Sequence, residues 1–159
     1  MTAVVALAAG VVALDQLSKA VALSRLVPGI PIDVVDGFLA LTLVMNPGLA
    51  FGLLGGLPTA WRWVVAGLSI VALLILARIA LRLPPTGGRL AHAAIGCIFG
   101  GAVGNLIDRA RFGAVVDFVD FHVSGYHWPA FNVADSAITI GVALLAFRLL
   151  EKPATTPAS

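Results

Sequence analysis

Residues 131–150 read "FNVADSAITIGVALLAFRLL", and the fold turns on how that stretch is understood. From Ile138 to Leu150 the side chains are almost all apolar, and Arg148 is the lone charge. Asp135 stands at the front of this run, about one helical turn inside the helix that the pattern predicts. An ionisable group within a membrane-spanning helix costs roughly 2.5–3.5 kcal/mol on insertion scales and marks a functional position by default.

The chain around it has the same character. Of its 159 residues, 60% are hydrophobic and 11% charged, and the mean hydropathy is +1.03. A soluble domain lies nearer about 45–50% apolar and about 25% charged, so these are membrane proportions. The net charge of +2 comes from scattered basic residues rather than a patch, and no nucleic-acid partner is expected. A single cysteine, Cys97, excludes an internal disulfide and a cysteine-based metal cluster. The N-terminal "MTAVVALAAGVVALDQ" lacks the basic start of a secretory signal and is expected to remain as the first span.

A span needs roughly 20 apolar residues. Four segments qualify, at about 3–23, 62–82, 90–108 and 132–150, in a single domain over 1–159. In the third, Gly96, Gly100 and Gly104 recur at four-residue spacing, which predicts a close helix–helix seam on one face. The loop at 24–61 is broken by Pro and Gly, and its "IDVVDGFLALTLVMN" is rich in β-branched and aromatic residues. It predicts short strands at the membrane surface, with Asp33 and Asp36 serving a turn at Gly37. The loop at 109–131 reads as partly extended, "PPTGG" as a tight turn, and the tail over 153–159 as disordered.

Four spans leave both termini on the same side as "PPTGG". Basic residues are balanced across the membrane, and the short turn between Arg82 and Arg89 places that side in the cytoplasm. Trp61, Trp63, Tyr126 and Trp128 then form an aromatic belt outside. Seven of the eight acidic residues, all but Glu151, gather on the outer half. Polar groups from three spans and both long loops thus converge on one membrane–water boundary.

Several chemistries fit that boundary poorly. There is no G-x-S-x-G for a serine hydrolase. Cys97 and His92 are five apart in an apolar span and badly aligned as a pair. His122 and His127 lie near Asp117 and Asp120, yet without H-E-x-x-H or comparable spacing they read as surface histidines, and no metal or cofactor is expected. Paired aspartates remain. Two close carboxylates share a proton, so one activates water while the other polarises a peptide carbonyl. Asp135 suits one half; Asp108, Asp117 or Asp120 supplies the other, and spacing alone does not choose. Carboxylates in a four-span protein also fit a transporter or channel subunit that binds cations or relays protons. The absence of acidic residues on the inner half of spans two and four argues against such a pathway.

Five stretches, "DQLSK" (15–19), "NPGLAFG" (46–52), "GNLIDR" (104–109), "VVDFVDFH" (115–122) and "FNVADSAI" (131–138), resemble in order the motifs of the lipoprotein signal peptidase (signal peptidase II) family. The resemblance covers essentially the whole chain. It implies an all-α membrane protein of four transmembrane helices with a small extracytoplasmic β-cradle. It implies an aspartic endopeptidase of the bacterial inner membrane that cleaves prolipoproteins before a diacylglyceryl-modified cysteine and is blocked by the lipopeptide globomycin. Asp117 and Asp135 are then the catalytic pair, and Asn46, Gly48, Asn105, Asp108, Arg109, Asn132 and Ala134 line or brace the site. Arg109 is expected to pair with Asp108 or hold a substrate carbonyl. Asp15 and Lys19 form an i,i+4 pair that closes the helix end or joins the site. Asp120 is read as a loop carboxylate in solvent or in a hydrogen bond. The partners implied are diacylated prolipoproteins and membrane lipids, and a monomer suffices. The chain departs from the family in having no basic residue before its first span.

Overall fold

The structure is a computed structural model that describes residues 2–47, 64, 67–71, 73–75, 77–78 and 88–150. Three long helices, α1 (Thr2–Arg25), α2 (Arg89–Phe112) and α3 (Val133–Leu150), carry a small sheet of β1 (Ile32–Val35), β2 (Leu39–Asn46), β3 (Val115–Val123) and β4 (Tyr126–His127). The described residues between 64 and 78 are helical as well. Among the described residues, α1 and α2 are long and apolar enough to cross a membrane. The expectations for Gly48, Trp61, Trp63, "PPTG" and the tail fall outside the described residues.

The helices are arranged inside out compared with those of a soluble protein. On α1 the buried stripe is Val4, Ala8, Asp15, Lys19 and Ala22, at spacings of three, four and seven that mark one helix face. Leu17 and Val21 on the other faces are 67% and 60% exposed. Small and charged groups thus pack inward while large apolar ones face out, as a lipid solvent demands.

Helix α2 lies between α1 and α3, and its glycines allow the approach. A Cβ added to Gly100 would stand 2.8 Å from the Ala8 carbonyl oxygen and the Val11 Cβ of α1. One added to Gly104 would meet the Asp15 carboxylate at 2.5 Å, and Gly101 faces the Ala134 carbonyl of α3. The seam predicted from the four-residue glycine spacing is present.

At its end α2 turns directly into the sheet. Gly113, at φ 68°, adopts the left-handed conformation and donates its N–H to the Arg109 carbonyl at 3.0 Å. β3 starts two residues later, which holds Asp117 close to the helix end. The sheet is antiparallel in the order β1-β2-β3-β4, and Asn46, Met45 and Val44 pair with Val115, Val116 and Asp117. Ala22, Leu26, Leu43 and Val116 form a buried cluster that seats the sheet on the end of α1. Asp36 and Gly37 form the β1–β2 turn as expected, with Gly37 at φ 70°, but Asp33 lies within strand β1. Among the described residues the two long loops thus contribute four strands, and β2 and β3 satisfy each other's backbone groups.

Candidate active site

Asp135 occupies the third position of α3, and Asn132 caps that helix. The Asn132 side-chain oxygen accepts the Asp135 N–H at 2.9 Å, and the Asp135 carboxylate accepts the Asn132 N–H at 3.3 Å. This reciprocal capping box satisfies two of the orphan donors at the helix start. The carboxylate that looked out of place in an apolar helix is thus part of the device that begins it.

The same asparagine holds the second carboxylate. Asn132 Nδ2 donates to Asp117 Oδ1 at 2.6 Å, and Asn46 Nδ2, across the β2–β3 ladder, donates to Asp117 Oδ2 at 3.0 Å. Asn105 of α2 donates to Asp135 Oδ1 at 2.8 Å. Its own side-chain oxygen accepts from Lys19 at 2.9 Å and from Asn132 at 3.3 Å. Three asparagines from three elements therefore fix two aspartates.

Behind them lies a fully buried ionic cluster. Lys19 Nζ stands 2.8 Å from both Asp15 and Asp108. Asp15 also accepts the Ala134 N–H at 2.9 Å, and Asp108 accepts the Val116 N–H at 3.1 Å. Gln16 donates to Asp15, Asp108 and the Gly104 carbonyl. One amine between two carboxylates ties α1, α2, β3 and the start of α3 together. The expected Asp15–Lys19 pair forms, and it sits behind the site rather than in it. The partner of Asp108 is Lys19 rather than Arg109, whose guanidinium bonds the Asn105 carbonyl at 3.3 Å.

The two aspartates open onto a cavity of about 770 Å³, which Asn46, Asn105 and Arg109 also line. That is ample for an extended peptide segment. The remaining wall is mainly apolar: Phe121, Trp128, Phe131, Ile138 and Ile140. Ser136 and Thr139 line it too, but their hydroxyls are spent on the Asn132 and Asp135 carbonyls. Sequence reasoning missed this wall. The helical offsets of Ile138 and Thr139 from Asp135, three and four residues, were the available signal.

Burial pushes the Asp117 carboxyl up to about 6. Hydrogen bonds from Asn46 and Asn132 and the charge of Lys19 oppose the rise, and the nearby charge of Asp135 adds to it. Of the two settings expected for Asp120, the hydrogen bond is the one that forms, to His127 at 2.8 Å, and the residue lies in β3 rather than a loop and is 9% exposed. Among Asp108, Asp117 and Asp120, only Asp117 shares the cavity with Asp135.

An apolar cavity in a helical membrane framework, with two asparagine-clamped carboxylates at its polar end, defines a membrane enzyme of the aspartic peptidase class. The chain belongs to the signal peptidase II family, whose profile, described as "Signal peptidase (SPase) II", matches residues 7–151. It is 46% identical over 141 residues to a lipoprotein signal peptidase of Desulforapulum autotrophicum, covering 88% of this chain and 86% of that one. To that of Cupriavidus necator it is 48% identical over 142 residues, covering 89% and 79%. A solved bacterial membrane enzyme, determined by the in meso method at 2.3 Å, superimposes with a TM-score of 0.83 at 32% identity, covering 100% of this chain and 94% of that one.

Proposed function

We propose that the chain removes signal peptides from diacylglyceryl-modified prolipoproteins, with Asp117 and Asp135 as the general acid/base pair. The observation that carries this is the shared clamp: Asn132 holds both carboxylates, and both face one cavity. One carboxylate takes a proton from the attacking water. The other, protonated, polarises the scissile carbonyl and then donates to the leaving amine. The raised Asp117 value, about 6, supports a pair that keeps one proton into the weakly acidic range.

In this reading residues 1–159 work as one four-span domain of the bacterial inner membrane, with both termini cytoplasmic and the sheet an extracytoplasmic cradle. Exposed Ile32 and Val34 on the first strand and Phe38 in the turn after it fit contact with lipid or the substrate's acyl chains. Asn46, Asn105 and Arg109 bind the extended substrate backbone. Asp15, Lys19, Asp108, Asn132 and Ala134 brace the pair, and Gly48 follows the Asn46 strand end. A single copy supplies every one of these groups, and a lipopeptide inhibitor of the globomycin kind would occupy the same cavity.

The test is cleavage of a diacylglyceryl-modified prolipoprotein peptide in detergent, with chelator present throughout. Asp117→Asn and Asp135→Asn are expected to lose about 10⁴-fold or more in kcat/KM, as when a member of a catalytic constellation is removed. Asp120→Asn is expected to retain most activity. Loss in Asp120→Asn but not in Asp117→Asn would overturn the assignment.

A further inference from the structure

The tip of β3 and β4 carries a second cluster that the peptidase chemistry does not use. Ser124 and Gly125 have φ of 51° and 83°, the paired positive values of a two-residue type I′ hairpin turn. That turn fixes the register: Val123 faces Tyr126, and His122 faces His127. Trp128 donates its N–H to Phe121 at 2.7 Å, so His122 and His127 form the intervening non-hydrogen-bonded pair, in which side chains stand closest. Their rings stack with centroids 5.0 Å apart. Asp120, two residues before His122 and on the same face of β3, reaches His127 Nδ1 at 2.8 Å. Asp117 lies at an odd position and faces the opposite side, toward the cavity.

We propose that Asp120, His122 and His127 bind a borderline divalent metal ion, of which Zn²⁺ is the best match. One ligand atom from each residue lies within 4.8 Å of the other two. A second observation points to a ligand. Asp120 Oδ1 and His122 Nδ1 are buried polar atoms with no hydrogen-bond partner, although such atoms are as a rule satisfied. Two imidazoles and a carboxylate are a nitrogen/oxygen donor set suited to zinc, with water completing a tetrahedron. Each donor enters from a different strand position, so the ion would fasten β4 to β3. Trp128, the next residue after His127, lines the substrate cavity. A metal here would therefore fix one wall of that cavity without touching the reacting groups.

The experiment uses the full chain in detergent, without a histidine tag, titrated with ZnCl₂ against a fluorescent chelator. One Zn²⁺ per chain is expected, with affinity at least about tenfold weaker in His127→Ala and in Asp120→Asn, in line with the losses seen when metal sites are disturbed. The His127 side chain is 59% exposed, so its removal leaves folding intact. X-ray absorption of the bound zinc is expected to show imidazole nitrogens at about 2.0–2.1 Å, and zinc is expected to raise the melting temperature of the wild type but not of His127→Ala. No zinc bound by the wild type would overturn the site. So would binding unchanged in both His127→Ala and His122→Gln.

Discussion

Asp117 is held at a cost to the fold. Its folded value of about 6 lies above the 3.8 of an unperturbed carboxyl, so the native state binds more protons between the two. The stability it contributes is fully present below about pH 4 and is lost as pH rises through about 6. Asp117→Asn has no such proton to lose. Its stability relative to wild type is expected to increase by up to about 3 kcal/mol between pH 4 and pH 7, at about 1.4 kcal/mol per pKa unit. Melting curves of both proteins in detergent across that range check this; parallel curves would refute it. Asn132 gives the complementary case. Asn132→Ala removes a helix cap, which costs about 1 kcal/mol, and takes away the Asn132 hydrogen bond to Asp117 while the backbone N–H bond to Asp135 stays, so on the proposed mechanism kcat is expected to fall roughly 100-fold as for a misplaced catalytic group. Asp117 and Asp135 were legible through their motifs, yet the link between them was not. Asn105 and Asn132 lie 27 residues apart, and only the packing of α2 on α3 brings them together.

Among the elements, the helix seam depends on missing side chains, and two glycines separate the effect of packing from that of propensity. Gly100→Ala would set a Cβ 2.8 Å from the Ala8 carbonyl, so overpacking is expected to cost about 1–3 kcal/mol. Gly10, in the middle of α1, has nothing within 4 Å of an added Cβ, and Gly10→Ala is expected to stabilise by about 0.5–1 kcal/mol. Denaturation of both variants in detergent decides; equal shifts would mean that the seam is not close-packed. The glycine spacing and the Asp15–Lys19 pair were visible in the sequence because both are repeats along a single helix. The burial of Asp120 was not, since which face of a strand is covered depends on its sheet neighbours. Here β2 sets the neutral Ala40 opposite it.

At the scale of the molecule, the ionic cluster of Asp15, Lys19 and Asp108 joins α1, α2 and, through Ala134 and Val116, α3 and β3. Lys19→Met leaves two buried carboxylates without their cation, and the expected loss is about 3–5 kcal/mol. The melting temperature and the yield of folded protein measure it; a variant as stable as wild type would show that the cluster does not hold the elements together. Hydropathy revealed the helices from their solvent, the lipid, but not this junction, whose members are scattered over 94 positions from Asp15 to Asp108. The capping box at the start of α3 carries a last implication, for drug resistance. An inhibitor that grips Asp135 and Asn132 by hydrogen bonds holds two residues that also start a helix. Escape by changing either one would damage the enzyme along with the drug contact, which leaves evasion to the apolar wall of Phe121, Ile138 and Ile140.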